Sequence, residues 1–495
     1  MMAKDKTIAG AASALNLAWK TINWDQAEKI VRRLQRRIAK ATRERHYGKV
    51  KALQWLLTHA YSAKLMAVRR VSQNSGGKTP GTDGVVWKTA QDKMKAALSL
   101  KRHGYQTKPL KRIYIPKKNT SALRPLSIPS MKCRGMQALH LLAFEPVMEM
   151  IADKNAYGFR PKRSTADAIE KCFKALCRKG SAQFILEGDI RACFDKICHS
   201  WLLINIVMDK NILEKWLTAG YIDKNVFYPT KIGTPQGSLI SPALLNATLS
   251  GLEAAVIAAS KPKDKVHIGV YADDFIITGV SKEVLEMKIK PVVRAFLLER
   301  GLELSEEKTK ISHINDGFNF LGFNVRKYGG KLLIKPSEAN KKSFLTNIRQ
   351  IIRKNSSDTT ERLITILNPK IRGWANYFRH VVAKEIFSEV DAEIFKSLWK
   401  WCKRRHPGKS ITWIQKKYFR SEGLQNWIFN TKLPPEDGKP SEYLDLFKAR
   451  SVKIERHIKI RAAATPYDPT FDEYFKQRAN RRNVRETGSV QQLAL

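Results

Sequence analysis

Three aspartates in two short segments carry the clearest chemical pattern in this sequence. The segment Tyr271-Ala272-Asp273-Asp274 lies between two apolar runs, VHIGV and FIITG, which predicts a β-hairpin with two acids at its tip. Taken alone, acids at a turn are usually turn-forming residues, because an aspartate bonds its own backbone there. A third acid, Asp189, follows another strand-like run, FILEG. Because acids at the ends of neighbouring strands can converge, the three aspartates are candidates for one site.

The chemistry that suits such a site is phosphoryl transfer with two metal ions. It needs carboxylates that hold Mg²⁺ ions about 3.5–4 Å apart, one to activate a 3′-hydroxyl and one to steady the leaving pyrophosphate. Asp189 and Asp273 meet this requirement as metal ligands, with Asp274 as the supporting third acid.

The charge balance points to a polyanionic partner. The chain of 495 residues has 90 Lys and Arg against 45 Asp and Glu, a net charge of +45 that is spread along its whole length. An extended phosphate-tracking surface for nucleic acid explains this distribution best. Membrane attraction is less favoured, because we find no apolar run near the ~20 residues of a spanning helix. Six cysteines without a Cys-x-x-Cys pair argue against a disulfide framework or a zinc site.

Hydrophobic periodicity divides the chain into regions of different type. Residues Asp25 to Ala67 show helical spacing with a basic outer face, and Ser72 to Gly84 has the composition of a loop. Short β-rich runs alternate with helices from Lys111 to about Gly330, an α+β pattern. Beyond Lys331 the periodicity is helical through about Phe419, and the last seventy or so residues are polar. We predict no internal repeat.

Tyr-Ala-Asp-Asp on a hairpin, preceded by Asp189 and by Thr234-Pro235-Gln236-Gly237-Ser238, resembles the palm of a reverse transcriptase. The resemblance implies that Asp189 and Asp273 bind the metals directly, assisted by the backbone carbonyl of Ile190. It implies that Phe194 lies under the sugar and excludes a ribose 2′-hydroxyl.

The same resemblance implies a nucleotide site. Gln236 matches the loop that packs against the incoming nucleotide, and Arg124 matches a fingers residue that holds the triphosphate. Either Lys117 or Lys118 matches its lysine partner. Lys308, in LELSEEKTKI, resembles a lysine near the nucleotide, and FNFLGF, residues 318–323, resembles the primer grip.

The segment Leu367–Ser410 closely resembles the thumb, or maturase domain X, of group II intron proteins, and residues 77–85 resemble the extension before their fingers. From Lys396 to Arg420, Lys and Arg interleave with aromatics and no acid occurs, as expected for structured RNA. A helical core with cationic rims is the other interpretation, and we expect some of each, with Trp374 and Trp399 in the core. We expect these cations to face RNA: Arg372, Lys403, Arg404, Arg405, Lys416 and Lys417.

These features predict an α+β right-hand polymerase followed by an all-α thumb and a small DNA-binding module. The expected divisions are a basic helical extension with the start of the fingers (1–110), the fingers and palm (111–330), the thumb or domain X (331–425), and a DNA-binding region with a mobile tail (426–495). Few Cys and His residues late in the chain predict that the family's His-Asn-His endonuclease is absent.

The resemblance implies an RNA-directed DNA polymerase that uses Mg²⁺ and dNTPs, binds its intron RNA, assists splicing and copies the intron from a target DNA primer. A homodimer is compatible with this function, and the expected location is a bacterial cytoplasm, with an organellar origin left open. A non-catalytic splicing cofactor ranks lower, because all three acids are present. A domesticated reverse transcriptase in phage defence also ranks lower, because such enzymes often lack domain X.

Overall fold

The computed structural model describes residues 15–116, 123–434 and 442–480. The chain forms two compact units, the first from residues 1–168, 186–311 and 460–495 and the second from residues 169–185 and 312–459. Residues 15–20 are helical, and sixteen further α-helices follow in the described part of the chain. They are α1 (Trp24–Arg43), α2 (Tyr47–His59), α3 (Tyr61–Gln73), α4 (Ala90–Ser99), α5 (Met131–Ile151), α6 (Thr165–Leu176), α7 (Cys193–Lys196), α8 (His199–Asn205), α9 (Lys210–Leu217), α10 (Ser241–Leu249), α11 (Leu252–Ala258), α12 (Lys290–Leu298), α13 (Glu338–Lys354), α14 (Thr360–Phe378), α15 (Lys384–Arg405) and α16 (Ile411–Tyr418).

The strands form four small sheets within the described residues. They are β1 (Leu110–Pro116), β2 (Leu123–Ile128), β3 (Phe184–Asp189), β4 (Tyr221–Asp223), β5 (Val226–Tyr228), β6 (His267–Tyr271), β7 (Asp274–Gly279), β8 (Lys310–His313), β9 (Phe318–Phe320), β10 (Phe323–Tyr328), β11 (Lys331–Pro336), β12 (Phe419–Glu422), β13 (Gln425–Lys432) and β14 (Tyr443–Asp445). The sheet orders are β2-β1-β4-β5, β6-β7-β3-β8, β11-β10-β9 and β12-β13-β14.

The helical region predicted over Asp25 to Ala67 is confirmed as α1, α2 and most of α3. Helix α1 begins because the side chain of Asn23 accepts a hydrogen bond from the Gln26 amide at 3.0 Å. Its apolar residues Val31, Leu34 and Ile38 recur at helical spacing and are buried. They belong to the core of the first unit, where α1 packs against α5.

Helices α10 and α11 correct the expectation about apolar runs. The stretch Ser241–Ala258 reaches the length and mean hydropathy, 1.2, of a membrane span. However, Gly251 breaks it into two helices with a φ of 96°, and 56% of the stretch is buried inside the protein. A core helix passes the same test of length and composition, so the stretch is weak evidence for a membrane.

The second unit is helical from Glu338 to Tyr418, as the periodicity predicts. The prediction is wrong at Lys331–Pro336, which forms β11 and pairs antiparallel with β10. Leu332 and Ile334 alternate with more exposed residues there, so the period is two over this short segment. The sheet β12-β13-β14 follows α16, and Phe419 pairs with Phe429 across its first two strands.

The division of the last residues differs from the expected separate module at 426–495. Residues up to 459 belong to the second unit, and residues from 460 belong to the first. Within the first unit Asp472 accepts hydrogen bonds from Arg36 at 2.5 and 2.7 Å, and Asp468 accepts one from Arg43 at 2.5 Å. These charge-assisted contacts explain why the segment joins α1. The expected mobile tail lies beyond residue 480, outside the described residues.

Candidate active site

The hairpin predicted at residues 271–274 is confirmed. Strands β6 and β7 pair antiparallel, with Tyr271 opposite Asp274, so Ala272 and Asp273 form a two-residue turn. Ala272 has a φ of 58°, in the left-handed region that tight hairpin turns use. Strand β3 lies next to β7 in the sheet and ends at Asp189. The sheet therefore brings Asp189 to the strand that begins with Asp274.

Two glycines allow this close packing. A Cβ atom on Gly188 would lie 2.1 Å from the nearest ring atom of Phe275, so only glycine fits beside that ring. A Cβ atom on Gly158 would lie 2.3 Å from the amide nitrogen of Ala272 at the hairpin turn. The positions of the acids therefore depend on backbone approach as well as on strand register.

Burial and neighbouring negative charge together raise the pKa of two of the three acids. Burial raises the pKa of Asp273, and repulsion from Asp189 adds to the rise. Burial, together with repulsion from Asp273 and Asp189, raises the pKa of Asp274 to about 6. Asp274, the first residue of β7, is exposed to solvent. Positive charge placed among these carboxylates would stabilise their ionised forms.

Lys308 supplies part of that positive charge. Its Nζ lies 2.8 Å from Oδ2 of Asp189, and this contact raises the pKa of the lysine. The backbone holds the same segment in place, because the Ser305 amide donates to the Asp189 carbonyl at 2.8 Å. The lysine expected near the nucleotide is thus bonded to a candidate metal ligand.

The donor set fits hard divalent cations, because it consists of carboxylate oxygens that repel one another. Among residues 15–116, 123–434 and 442–480, no group of three or more His, Cys, Asp or Glu side chains is placed to hold a metal ion. The fit of this site to Mg²⁺ therefore depends on the negative charge and the oxygen ligands of Asp189, Asp273 and Asp274. Ile190, whose carbonyl is the expected fourth ligand, is buried and forms an isolated β-bridge with Leu304.

Several nucleotide-site candidates lie around the acids. The Phe194 carbonyl accepts a hydrogen bond from the Thr234 amide at 2.5 Å, which ties the aromatic residue after β3 to the TPQGS loop. The Gln236 carbonyl accepts one from the Ser127 amide at 2.7 Å, which ties that loop to the end of β2. Arg124, on β2, is exposed, and its charge lowers the pKa of Asp273. Lys117 and Lys118 lie outside the described residues.

Comparison with known proteins agrees with this geometry. The family described as reverse transcriptase (RNA-dependent DNA polymerase) matches residues 115–325. The N-terminal domain of reverse transcriptase matches residues 19–100, and the group II intron maturase-specific domain matches residues 341–419.

Two bacterial relatives are similar over most of their lengths. Protein YkfC of Escherichia coli is 32% identical over 304 residues, which cover 52% of this chain and 79% of the relative. The group II intron-encoded protein LtrA of Lactococcus lactis is 27% identical over 409 residues, which cover 63% of this chain and 68% of LtrA. The chain belongs to the group II intron-encoded reverse transcriptase and maturase family.

A structural neighbour is far more distant. Telomerase from Candida albicans, in complex with a fragment of telomeric RNA, aligns with a TM-score of 0.35 and 13% identity. The alignment covers 63% of this chain and 66% of that chain. The family assignment therefore depends on the sequence matches, which establish a polymerase fold of mixed helix and sheet, RNA-directed DNA polymerase activity and RNA binding.

The maturase cations expected to face RNA differ in their surroundings. Arg372, Lys403, Arg404, Lys416 and Lys417 are exposed in the second unit. The guanidinium carbon of Arg372 also lies 4.8 Å from the ring centre of Phe447, within that unit.

Arg405 differs from the other five. It donates hydrogen bonds to the carbonyls of Ser356 at 2.9 Å and Asp358 at 2.7 Å, and it packs over Trp401. Its guanidinium group therefore holds α15 to the turn before α14. Of the two expected core tryptophans, Trp374 is buried and Trp399 is half-buried.

Sequence reasoning missed several residues of the reverse transcriptase site. Gly188 and Gly158 are required by contacts with Phe275 and Ala272, which are distant in the sequence. Outside this site, Arg134 is buried and donates to the carbonyls of Pro129, Gly76 and Thr79 at 2.7–2.8 Å, so it organises the loop after α3.

Proposed function

We propose that this protein extends a DNA primer on its intron RNA by two-metal nucleotidyl transfer, with Asp189 and Asp273 as Mg²⁺ ligands and Asp274 as the third acid. The observation that carries the proposal is the convergence of these acids on adjacent strands of one sheet, where burial and then their mutual repulsion raise the pKa of Asp273 and Asp274. When bound, the ions would activate the primer 3′-hydroxyl and stabilise the charge on the leaving pyrophosphate.

The chain's own residues have separate roles in this proposal. Without a nucleotide, the Lys308 ammonium group pairs with Asp189. As the nucleotide enters, the ammonium group moves from Asp189 to the triphosphate. Arg124 holds a phosphate oxygen from the fingers side, with Lys117 or Lys118 as its partner. Gln236 packs against the nucleotide, and the Phe194 ring blocks a 2′-hydroxyl. Each role is independent of the others and can be tested by a single substitution.

The proposal extends to the biological partners. The template is the intron RNA, held in part by Lys403, Arg404, Lys416 and Lys417 of the maturase region, which also assists splicing. The primer is a 3′-hydroxyl at the DNA target, and the expected location is the bacterial cytoplasm. The support is the membership of the group II intron family and the exposed cations of the second unit. A homodimer is a further part of the proposal.

The decisive experiment is Mg²⁺-dependent extension of a 5′-labelled DNA primer on an RNA template by the protein and its Asp273→Asn variant. Metal stabilisation of several kcal/mol corresponds to a loss on the order of 10³-fold at 1.36 kcal/mol per tenfold. Asp316→Asn, a change of an exposed acid in the second unit, is the matched control and should retain full activity. If neither the protein nor the control extends the primer but both bind RNA tightly, the protein is a splicing cofactor.

A further inference from the structure

Four aromatic side chains of the second unit form a cluster that is incompletely buried. We name this cluster the aromatic ledge: Phe395 and Trp399 on α15, Phe419 on β12 and Trp427 on β13. The ring centres of Trp399 and Trp427 are 5.7 Å apart at 78°, and those of Phe419 and Trp427 are 5.5 Å apart. Phe419 is buried, whereas Phe395 and Trp399 are half-buried and Trp427 is 37% exposed. The ledge therefore has a buried base and an open edge.

The backbone at Trp427 is strained. Its φ is 59°, in the left-handed region, where a bulky side chain is a rare outlier that costs on the order of 1–3 kcal/mol. The strain coincides with a β-bulge, because Arg420 pairs with Ile428 while Glu422 pairs with Gln425. Asn426 and Trp427 therefore lie opposite Ser421 alone. Bulges redirect side chains, and here the redirected side chain is the exposed indole.

A tryptophan that served only the hydrophobic core would gain most from full burial. Trp427 instead keeps more than a third of its surface in solvent on a backbone that is costly to hold. The adjacent tip of the hairpin is also apolar, since Leu424 is fully exposed. An aromatic surface on a strained, redirected residue is more typical of a binding site than of a core.

The charges around the ledge indicate what it binds. The Nζ of Lys403, one helical turn after Trp399, lies 5.6 Å from the ring centre of that tryptophan. Lys396 is also exposed, although it pairs with Glu393 at 2.8 Å. Aromatic faces beside cations suit a base that stacks while its phosphates are neutralised. An apolar protein segment would have no need of these lysines.

We propose that the aromatic ledge is a stacking site for an unpaired base of RNA, with Trp427 as the exposed platform and Lys403 as a phosphate contact. This inference deepens the proposed RNA-binding function of the second unit and depends on it. It assigns a role to Trp399 and Trp427 that is separate from nucleotidyl transfer at the palm.

The test compares two variants of the full chain that keep an apolar side chain on the same strained backbone. Trp427→Phe keeps an aromatic face, and Trp427→Leu removes it. The probe is a labelled single-stranded oligoribonucleotide of about twelve nucleotides, within the range that one stacking groove can cover. We expect Trp427→Leu to weaken binding about 5- to 100-fold and Trp427→Phe to retain most of the affinity. Equal affinities of Trp427→Leu and the unaltered protein would overturn the proposal.

Controls separate this proposal from the general function. Trp55→Leu removes an exposed tryptophan from α2 of the first unit and should leave the affinity for the oligoribonucleotide unchanged. Trp427→Leu should still extend a pre-annealed primer, whereas Asp273→Asn should still bind the oligoribonucleotide. Failure of extension by the unaltered protein would therefore count against the palm alone.

A second measurement needs no variant. Photocrosslinking of the unaltered protein to the same RNA, with 4-thiouridine in place of uridine, should label a peptide that contains Trp399 or Trp427. Crosslinks confined to other peptides would overturn the proposal even if Trp427→Leu failed to fold.

Discussion

The sheet edge that carries Asp189, Asp273 and Asp274 and the cationic helices of the second unit arrange their charges in different ways. In the palm, three acids are fixed by strand register and by Gly188, and their repulsion is concentrated in a small space. In the second unit, Lys403, Lys416 and similar residues are exposed and spread over two helices. The first arrangement depends on the position of each atom, whereas the second depends on the number of charges. Substitutions should therefore have abrupt effects in the palm and graded effects in the second unit.

The sharpest test of this difference is Gly188→Ala. The added methyl group would overlap the Phe275 ring, so the strand before Asp189 has to shift. Overpacking of this kind destabilises by about 1–3 kcal/mol, and a shift of about 1 Å in a catalytic group lowers kcat by about 10²-fold. Primer extension and the melting temperature measure the two effects.

Gly48→Ala is the matched control for that substitution. Nothing lies within 4 Å of its added Cβ atom, and Gly48 lies inside α2, so stability should rise by up to about 1 kcal/mol with activity unchanged. Normal activity of Gly188→Ala would show that the palm tolerates backbone shifts, which would remove the contrast between the two regions.

The pH dependence of the palm is the next largest expected effect. Burial and the neighbouring acids raise the pKa of Asp274 to about 6 in the metal-free protein. Below that pH protons compete with Mg²⁺ for its carboxyl group, so the Mg²⁺ concentration that gives half-maximal extension should rise as the pH falls. A raised pKa stabilises the folded state at low pH, and this contribution is lost as the pH rises through the folded value. Mg²⁺ should therefore raise the melting temperature at about pH 8 and have little effect near pH 5.

Asp274→Asn provides the control for this pH dependence, because its amide cannot ionise. The variant should melt at a higher temperature than the unaltered protein at neutral pH without Mg²⁺, and its melting temperature should change less with pH. A half-maximal Mg²⁺ concentration for extension that is the same at about pH 5 and pH 8 in the unaltered protein would contradict the crowded-carboxylate account.

The smallest expected effect is in the second unit. The double variant Lys416→Gln/Lys417→Gln should weaken RNA binding about 3- to 10-fold and lower the slope of log affinity against log salt by about 1–2. Filter binding over a salt series measures both quantities. Arg405→Gln is the contrasting variant, because it loses bonds to Ser356 and Asp358 and should lower the melting temperature while the salt slope stays nearly constant. The reverse result for the two variants would exchange their assigned roles.

The strands beside the candidate acids are predicted well from the sequence, because the residue pattern of each strand is local. Alternating apolar runs flank Asp273, and the structure has β6 and β7 at those positions. The sequence patterns of the basic helices over Asp25 to Ala67 and of the helices in the second unit are equally local, since periodicity indicates a helix directly. By contrast, periodicity places Lys331–Pro336 in a helical region, because this six-residue strand is too short to be distinguished from the helical periodicity that follows it.

Contacts between distant segments could not be predicted from one sequence. Arg36 carries an ordinary solvated charge in the sequence, and only the fold places Asp472 beside it. Arg405 belongs to a cationic run, yet its guanidinium group donates hydrogen bonds to the backbone carbonyls of Ser356 and Asp358. The strain at Trp427 depends on a β-bulge opposite Ser421, and no local residue pattern predicts this bulge.

The pairing of α1 with Asp468 and Asp472 has a consequence for synthesis of the chain. Translation at about 5–20 residues per second needs roughly 20–90 s to pass from Arg36 to Asp472. Arg36 and Arg43 lack these carboxylates throughout that interval. Residues 169–185 and 312–459, which form the second unit, are made before the aspartates, so the first unit is completed only after the second unit has been synthesised.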